Sequence, residues 1–123
     1  FAIIAGHRLN LEPQTWAKYA VVDTLVVLMG IENRQTIAKA LIQAGRTPDE
    51  PVAFIEHGST PRERVIIATL SEVARGTTRV NSPAVFVSGQ VVRLRKKLKR
   101  AAAAPAMSTV SSANAVKEST YAA

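Results

Sequence analysis

The sequence predicts an α/β fold. Two observations point there. Short apolar runs alternate with stretches of helical periodicity along most of the chain. Gly, Pro and Asn punctuate the joins between them. Five such runs occur, with helices between and after them, enough for one modest core in a chain of 123 residues, 47% of them apolar.

"FAIIA" opens the chain and reads as a short buried strand. "GHRLNLEPQTWAKYA" follows. Pro13 sits near a helix start, and Trp16 and Tyr19 fall three apart on one helical face. "TLVVLM" is the second strand, and its unbroken apolar run suits a strand covered on both sides. "NRQTIAKALIQAG" is the clearest helix. Asn33 can cap its start, Ile37, Ala38, Leu41 and Ile42 form a stripe, and Gly45 stands where helices often end left-handed.

"PVAFIE" is the third strand, broken by "HGSTPRER". "VIIA" is a fourth. "TLSEVARG" reads as a brief helix, because Thr69 and Glu72 have capping-box spacing and Gly76 closes it. "NSP" is a turn and "AVFVSG" the fifth strand. "QVVRLRKKLKR" is a basic amphipathic helix whose Val91, Val92, Leu94 and Leu98 should tie it to the body. Residues 101–123 are mostly Ala, Ser and Thr with little to bury, so a disordered tail is expected after a folded unit spanning 1–100.

The net charge of +7 is local. Residues 1–92 hold nine Lys/Arg against eight Asp/Glu, Arg93 to Arg100 add six cations, and Lys117 and Glu118 cancel. The basic run invites a nucleic-acid reading, but no aromatic side chain is interleaved for stacking. Nucleic acid is therefore an unlikely partner, and a solvated helix face is the plainer account. There is no cysteine, which excludes disulfide and thiolate chemistry. No apolar run approaches the roughly 20 residues that span a bilayer. The chain opens on Phe1 inside a strand-like run, so upstream sequence is expected.

The chemistry-bearing candidates lie at strand ends, the edge where open α/β sheets bind ligands. Met29–Gly30 ends the second run: Gly permits close approach of a backbone, and Met offers a polarizable surface, although Met also fills ordinary cores. Gly58 in "EHGSTP" ends the third run in the same way, or is only a turn. His7 and His57 each border a Gly, with no metal-ligand spacing around either, so a polar loop role is the plainer one. There is no GxGxxG, no phosphate-binding loop of the Walker type and no nucleophile elbow.

Taken together, "GHRLN", "TLVVLMG", "IAKALIQAGRTPDEPVAFIEHGSTPRERV" and "NSPAVFVSGQVVRLRKKL" resemble the carboxyl-terminal lobe of the tetrapyrrole methylase family. They run in the family's order across roughly residues 2 to 98, with a 29-residue step from Met29 to Gly58. The resemblance implies a single mixed five-stranded sheet with flanking helices, one lobe of a two-lobe fold with the cleft between the lobes. It implies S-adenosyl-methionine as methyl donor, lined by Met29 and Gly58. Among family members it is similar to those that methylate uroporphyrinogen III through precorrin-1 to precorrin-2, on the route to sirohaem and cobalamin. Another corrinoid methylase is the alternative within the family, and a basic nucleic-acid module using residues 93–100 is the alternative outside it.

The resemblance also implies a homodimer. The compartment would be the cytoplasm in a bacterium or the plastid stroma in a photosynthetic eukaryote. It implies no catalytic residue within these positions, because the family's Gly/Pro-rich loop and its acid/base candidates belong to the other lobe. The chain alone is therefore expected to bind S-adenosyl-methionine poorly and to turn nothing over. Leu28 departs from the family, where Tyr is common.

Overall fold

The structure is a computed structural model and describes residues 1–7 and 13–104. The expected tail, and most of "GHRLN", lie outside the described residues.

The elements run β1 (Ala2–Ala5), α1 (Pro13–Ala20), β2 (Leu25–Leu28), α2 (Arg34–Gln43), β3 (Pro51–Glu56), β4 (Arg64–Thr69), α3 (Leu70–Ala74), β5 (Ala84–Ser88), a 3₁₀ turn (Gln90–Arg93) and α4 (Leu94–Ala103). The five strands form one mixed sheet in the order β1-β2-β5-β3-β4. β1 and β2 are parallel, and the pairs β2–β5, β5–β3 and β3–β4 are antiparallel. β2 and β3 therefore point the same way on either side of β5, and their carboxyl ends flank the start of β5.

The side-chain alternation of the strands divides the sheet. Leu25, Val27, Val52, Phe54 and Phe86 point to one face, where Trp16, Ile37, Ala38, Leu41, Leu70 and Val73 meet them in a continuous buried core. Phe54 and Phe86, paired across β3 and β5, stack with ring centroids 4.9 Å apart. Trp16 and Tyr19 make an edge-to-face pair at 6.1 Å. The other face carries a register row of Ile3, Val26, Val87, Ala53 and Ile67. It is apolar yet only partly covered: Ile3 is 59% exposed and Ile67 51%.

Two strand expectations change accordingly. β2 is buried on its Leu25/Val27 side only, and Leu28 is exposed. β1 is a half-buried edge strand rather than a buried one. The uninterrupted apolar sequence of β2 reflects an apolar second face, not a covered one.

Helix ends follow local chemistry. The N–H groups of Gly45 and Arg46 reach the carbonyls of Ile42 and Leu41, and Gly45 adopts φ 108°, a Schellman closure of α2. Gly76, at φ 76°, closes α3 in the same way with Thr77. Thr69 and Glu72 form both halves of the capping box. Asn33 does occupy the cap position of α2, but its side chain makes no capping bond. Its backbone, at φ −96° and ψ 6°, lacks the extended geometry that aims a cap side chain at the helix N–H groups. The final helix begins as a 3₁₀ turn, and of its four expected anchors only Val92 is buried.

At the edge opposite the carboxyl ends of β2 and β3, Arg46 is buried and donates to Glu50 at 2.8 Å and to the carbonyls of Tyr19, Ala20 and Val22. Glu50 also accepts from the Ser88 hydroxyl. This cluster fixes the α1–β2 connection and is structural.

Candidate functional site

β1, β2 and β3 deliver their carboxyl ends to one rim of the sheet, and β5 enters there between β2 and β3. Adjacent strands lie about 4.8 Å apart, so the β2 and β3 exits are separated by about 10 Å.

The rim is where the backbone leaves ordinary geometry. Among the described residues, the non-glycine positions with positive φ are Met29 (53°), His57 (47°) and Ser59 (64°). Each costs on the order of 1 kcal/mol relative to a right-handed conformation. Met29 and His57 directly follow β2 and β3, and Ser59 lies three residues beyond the end of β3. Strained backbone concentrated at one sheet edge is the mark of a site that needs its side chains aimed.

Met29 is 60% exposed, an unusual setting for a large apolar side chain beside a core. It opens on a hollow of about 380 Å³ together with His7, Ile31, Asn33, Pro83 and Ala84. Gly30 behind it is buried, and the space left by its missing side chain is taken by the protein itself. A Cβ there would stand 2.7 Å from Val27 Cγ1 and 3.2 Å from Ile37 Cδ1. The close approach that glycine permits at this position is therefore intramolecular.

Gly58 is exposed on a second hollow of about 330 Å³, lined by Ile55, His57, Thr60, Pro83, Ala84 and Val85. The two hollows share Pro83 and Ala84, the start of β5. Met29 and Gly58 thus stand on the same rim on either side of a common wall. The loop carrying Gly58 is internally braced: the Ser59 N–H donates to Glu63 at 2.8 Å, and the Thr60 hydroxyl donates to the His57 carbonyl at 2.7 Å.

Glu56, the last residue of β3, lies beneath the rim and is 4% exposed. It accepts from Arg64 Nε at 2.9 Å, from Arg64 Nη2 at 3.0 Å and from the Asn81 N–H at 2.6 Å. The Arg64 guanidinium, followed by the Asn81 N–H, holds its carboxyl below the usual carboxylate range. Arg34 adds a second brace, donating to the carbonyls of Ile31 at 2.7 Å and Thr78 at 3.3 Å.

Sequence reasoning placed Met29 and Gly58 at strand ends but missed Glu56, Pro83 and Ala84. "NSP" reads locally as a turn. That it forms the wall between the other two exits follows from the insertion of β5 between β2 and β3, which no local pattern shows. Among the described residues there is no group of three or more His, Asp or Glu placed to hold a metal ion, and no helix is long and apolar enough to cross a membrane.

Comparison with known proteins fits this geometry. The chain is 38% identical over 97 residues to a siroheme synthase from Edwardsiella ictaluri, covering 78% of this chain and 21% of that one. It is 40% identical over 99 residues to a uroporphyrinogen-III C-methyltransferase from Synechococcus elongatus, covering 78% and 39%. Among solved structures, the uroporphyrin III C-methyl transferase of Thermus thermophilus superposes with a TM-score of 0.69 at 44% identity, over 76% of this chain and 41% of that one. A second structure of that enzyme, complexed with S-adenyl homocysteine, superposes equally well. The chain therefore spans between about a fifth and two-fifths of the length of these relatives. Residues 2–74 match the profile of the Tetrapyrrole (Corrin/Porphyrin) Methylases, and with the sheet order and the relatives in agreement, the chain belongs to that family.

Proposed function

We propose that the chain is the carboxyl-terminal lobe of an S-adenosyl-methionine-dependent methyltransferase that converts uroporphyrinogen III, through precorrin-1, to precorrin-2 for sirohaem and cobalamin synthesis. One observation carries the reading: Met29 and Gly58 share a strained, open rim with a common wall between them. The Thermus relative that holds S-adenyl homocysteine supports it.

The residues present suit such a ligand. Met29 presents a polarizable, adaptable surface held outward by its left-handed backbone. Gly58 leaves main chain uncovered, and Pro83 and Ala84 give an apolar partition between the two hollows. S-adenosyl-methionine, when bound, supplies an electrophilic methyl on a sulfonium. The lobe's own contribution is to hold and orient, and fixing the reacting groups in line supplies much of the rate. The group that accepts the pyrrole-carbon proton, and most of the tetrapyrrole pocket, belong to the remainder of the full-length protein.

The partly bare apolar face of the sheet suits a second copy of the protein, so a homodimer is part of the reading. The relatives named above are bacterial, which favours the cytoplasm.

The test is calorimetric titration of the full-length protein with S-adenosyl-homocysteine. Met29→Ala and Gly58→Val should each weaken binding roughly 10-fold, the loss of about 1.4 kcal/mol of contact. Unchanged affinity in both variants would remove the rim from the cofactor site.

A further inference from the structure

The wall shared by the two hollows is tied to the end of β3. The connection from α3 to β5 is tied to the last step of β3 at two points. The Asn81 N–H donates to Glu56, and the His57 N–H donates to the Pro83 carbonyl at 3.2 Å. Between these two bonds lies the segment that leads into Pro83 and Ala84. The register Glu56↔Ala84 sets the wall level with the end of β3.

The two partners of Glu56 are not equivalent. The Arg64 side chain is 54% exposed and grips the carboxylate in a two-point bond that ties β4 to β3 but holds no part of the wall. The Asn81 N–H is the other partner, and its 2.6 Å contact with an ionised carboxylate is a charge-assisted bond, stronger than one to a neutral acceptor. A negative charge nearly buried at a sheet end is unfavourable for the core on its own account. Here it fastens residues 81–83, a short step between Val80 and Ala84, both of which pack at the margin of the core facing the helices.

We propose that Glu56 is a positioning residue of the cofactor rim: its carboxylate, bonded to the Asn81 N–H, fixes the height at which Pro83 and Ala84 partition the Met29 and Gly58 hollows. This rests on the reading of the rim as the S-adenosyl-methionine site. Glu56 touches no ligand. It acts through the main chain of residues 81–83.

The test uses the full-length protein with four variants. KM for S-adenosyl-methionine and for the tetrapyrrole are measured separately, and amide hydrogen exchange is followed at Asn81. Glu56→Ala should raise KM for S-adenosyl-methionine roughly 10-fold, leave KM for the tetrapyrrole within about 2-fold and speed exchange at Asn81. Glu56→Gln keeps the shape and removes the charge, so it should show the same pattern at about 3-fold, and it secures the result should the alanine variant fold poorly.

Arg64→Met removes the ion pair but keeps the Asn81 bond, so it should lower thermal stability without moving either KM beyond about 2-fold. Equal KM shifts in the Glu56 and Arg64 variants would reduce Glu56 to a structural role. Met29→Ala separates the two ideas. A raised KM there beside unchanged KM in both Glu56 variants overturns this proposal alone, whereas unchanged KM in Met29→Ala together with unchanged affinity in Gly58→Val overturns the cofactor reading beneath it.

Discussion

Gly6 and Gly30 lie back to back: a Cβ built on Gly6 would fall 2.7 Å from the Cα of Gly30 and 2.8 Å from Val27 Cγ1. The Gly6 N–H also donates to the Leu28 carbonyl at 2.7 Å, so the exits of β1 and β2 are joined main chain to main chain. Gly6→Ala must push backbone against backbone. It should lower stability by about 1–3 kcal/mol, read from urea unfolding midpoints. Gly45→Ala is the control. A Cβ there meets nothing within 4 Å, so only the conformational penalty of φ 108° remains, about 1 kcal/mol.

Met29 should show opposite effects on stability and on binding. Its side chain is mostly exposed, while its backbone is left-handed. Met29→Gly relieves a strain on the order of 1 kcal/mol, partly offset by the greater freedom of glycine in the unfolded chain. Thermal unfolding should therefore stay level or move upward, while affinity for S-adenosyl-homocysteine falls. A clear loss of stability would show that Met29 packs as a core residue.

The depressed pKa of Glu56, caused first by Arg64 and then by the Asn81 N–H, makes stability pH-dependent. A folded-state pKa below the unfolded one contributes stability that is fully present above the unfolded value. It is lost as pH falls through the folded value. The effect therefore lies on the acid side of the ordinary glutamate range near 4.3. Urea unfolding across that window should be steeper in pH for the natural protein than for Glu56→Gln.

Arg46 is the strongest structural liability. Arg46→Ala leaves Glu50 without its cationic partner and strips the donor from the carbonyls of Tyr19, Ala20 and Val22. Removing one member of a buried pair costs about 3 kcal/mol or more. Denaturant unfolding should show that loss. The rim lies at the opposite sheet edge, so a protein that still folds should keep its S-adenosyl-homocysteine affinity within about 2-fold.

What the sequence made legible was mostly local. Gly45, Gly76 and the Thr69/Glu72 box each declare a helix end within four or five residues, and each is found in place. The rim was half legible. A strand ending in Met-Gly and another ending in Glu-His-Gly advertise their exits, but the left-handed turns of Met29, His57 and Ser59 have no signature in residue type. Glu56 and Asn81 are twenty-five residues apart, and only the antiparallel β3–β5 pairing brings them together. β2 misled for a related reason: residue type reports that a face is apolar, not whether anything in the described chain covers it. Val91, Leu94 and Leu98 misled likewise, since an amphipathic pattern names a side and not a distance.

The row from Ile3 to Ile67 has a consequence for any measurement made on this chain by itself. A greasy stripe left open toward both margins of the sheet favours self-association, and association with the folded form alone raises apparent stability by mass action. Melting temperatures taken at two dilutions should then disagree, the denser sample unfolding later, and a single quoted midpoint would describe the test tube as much as the molecule.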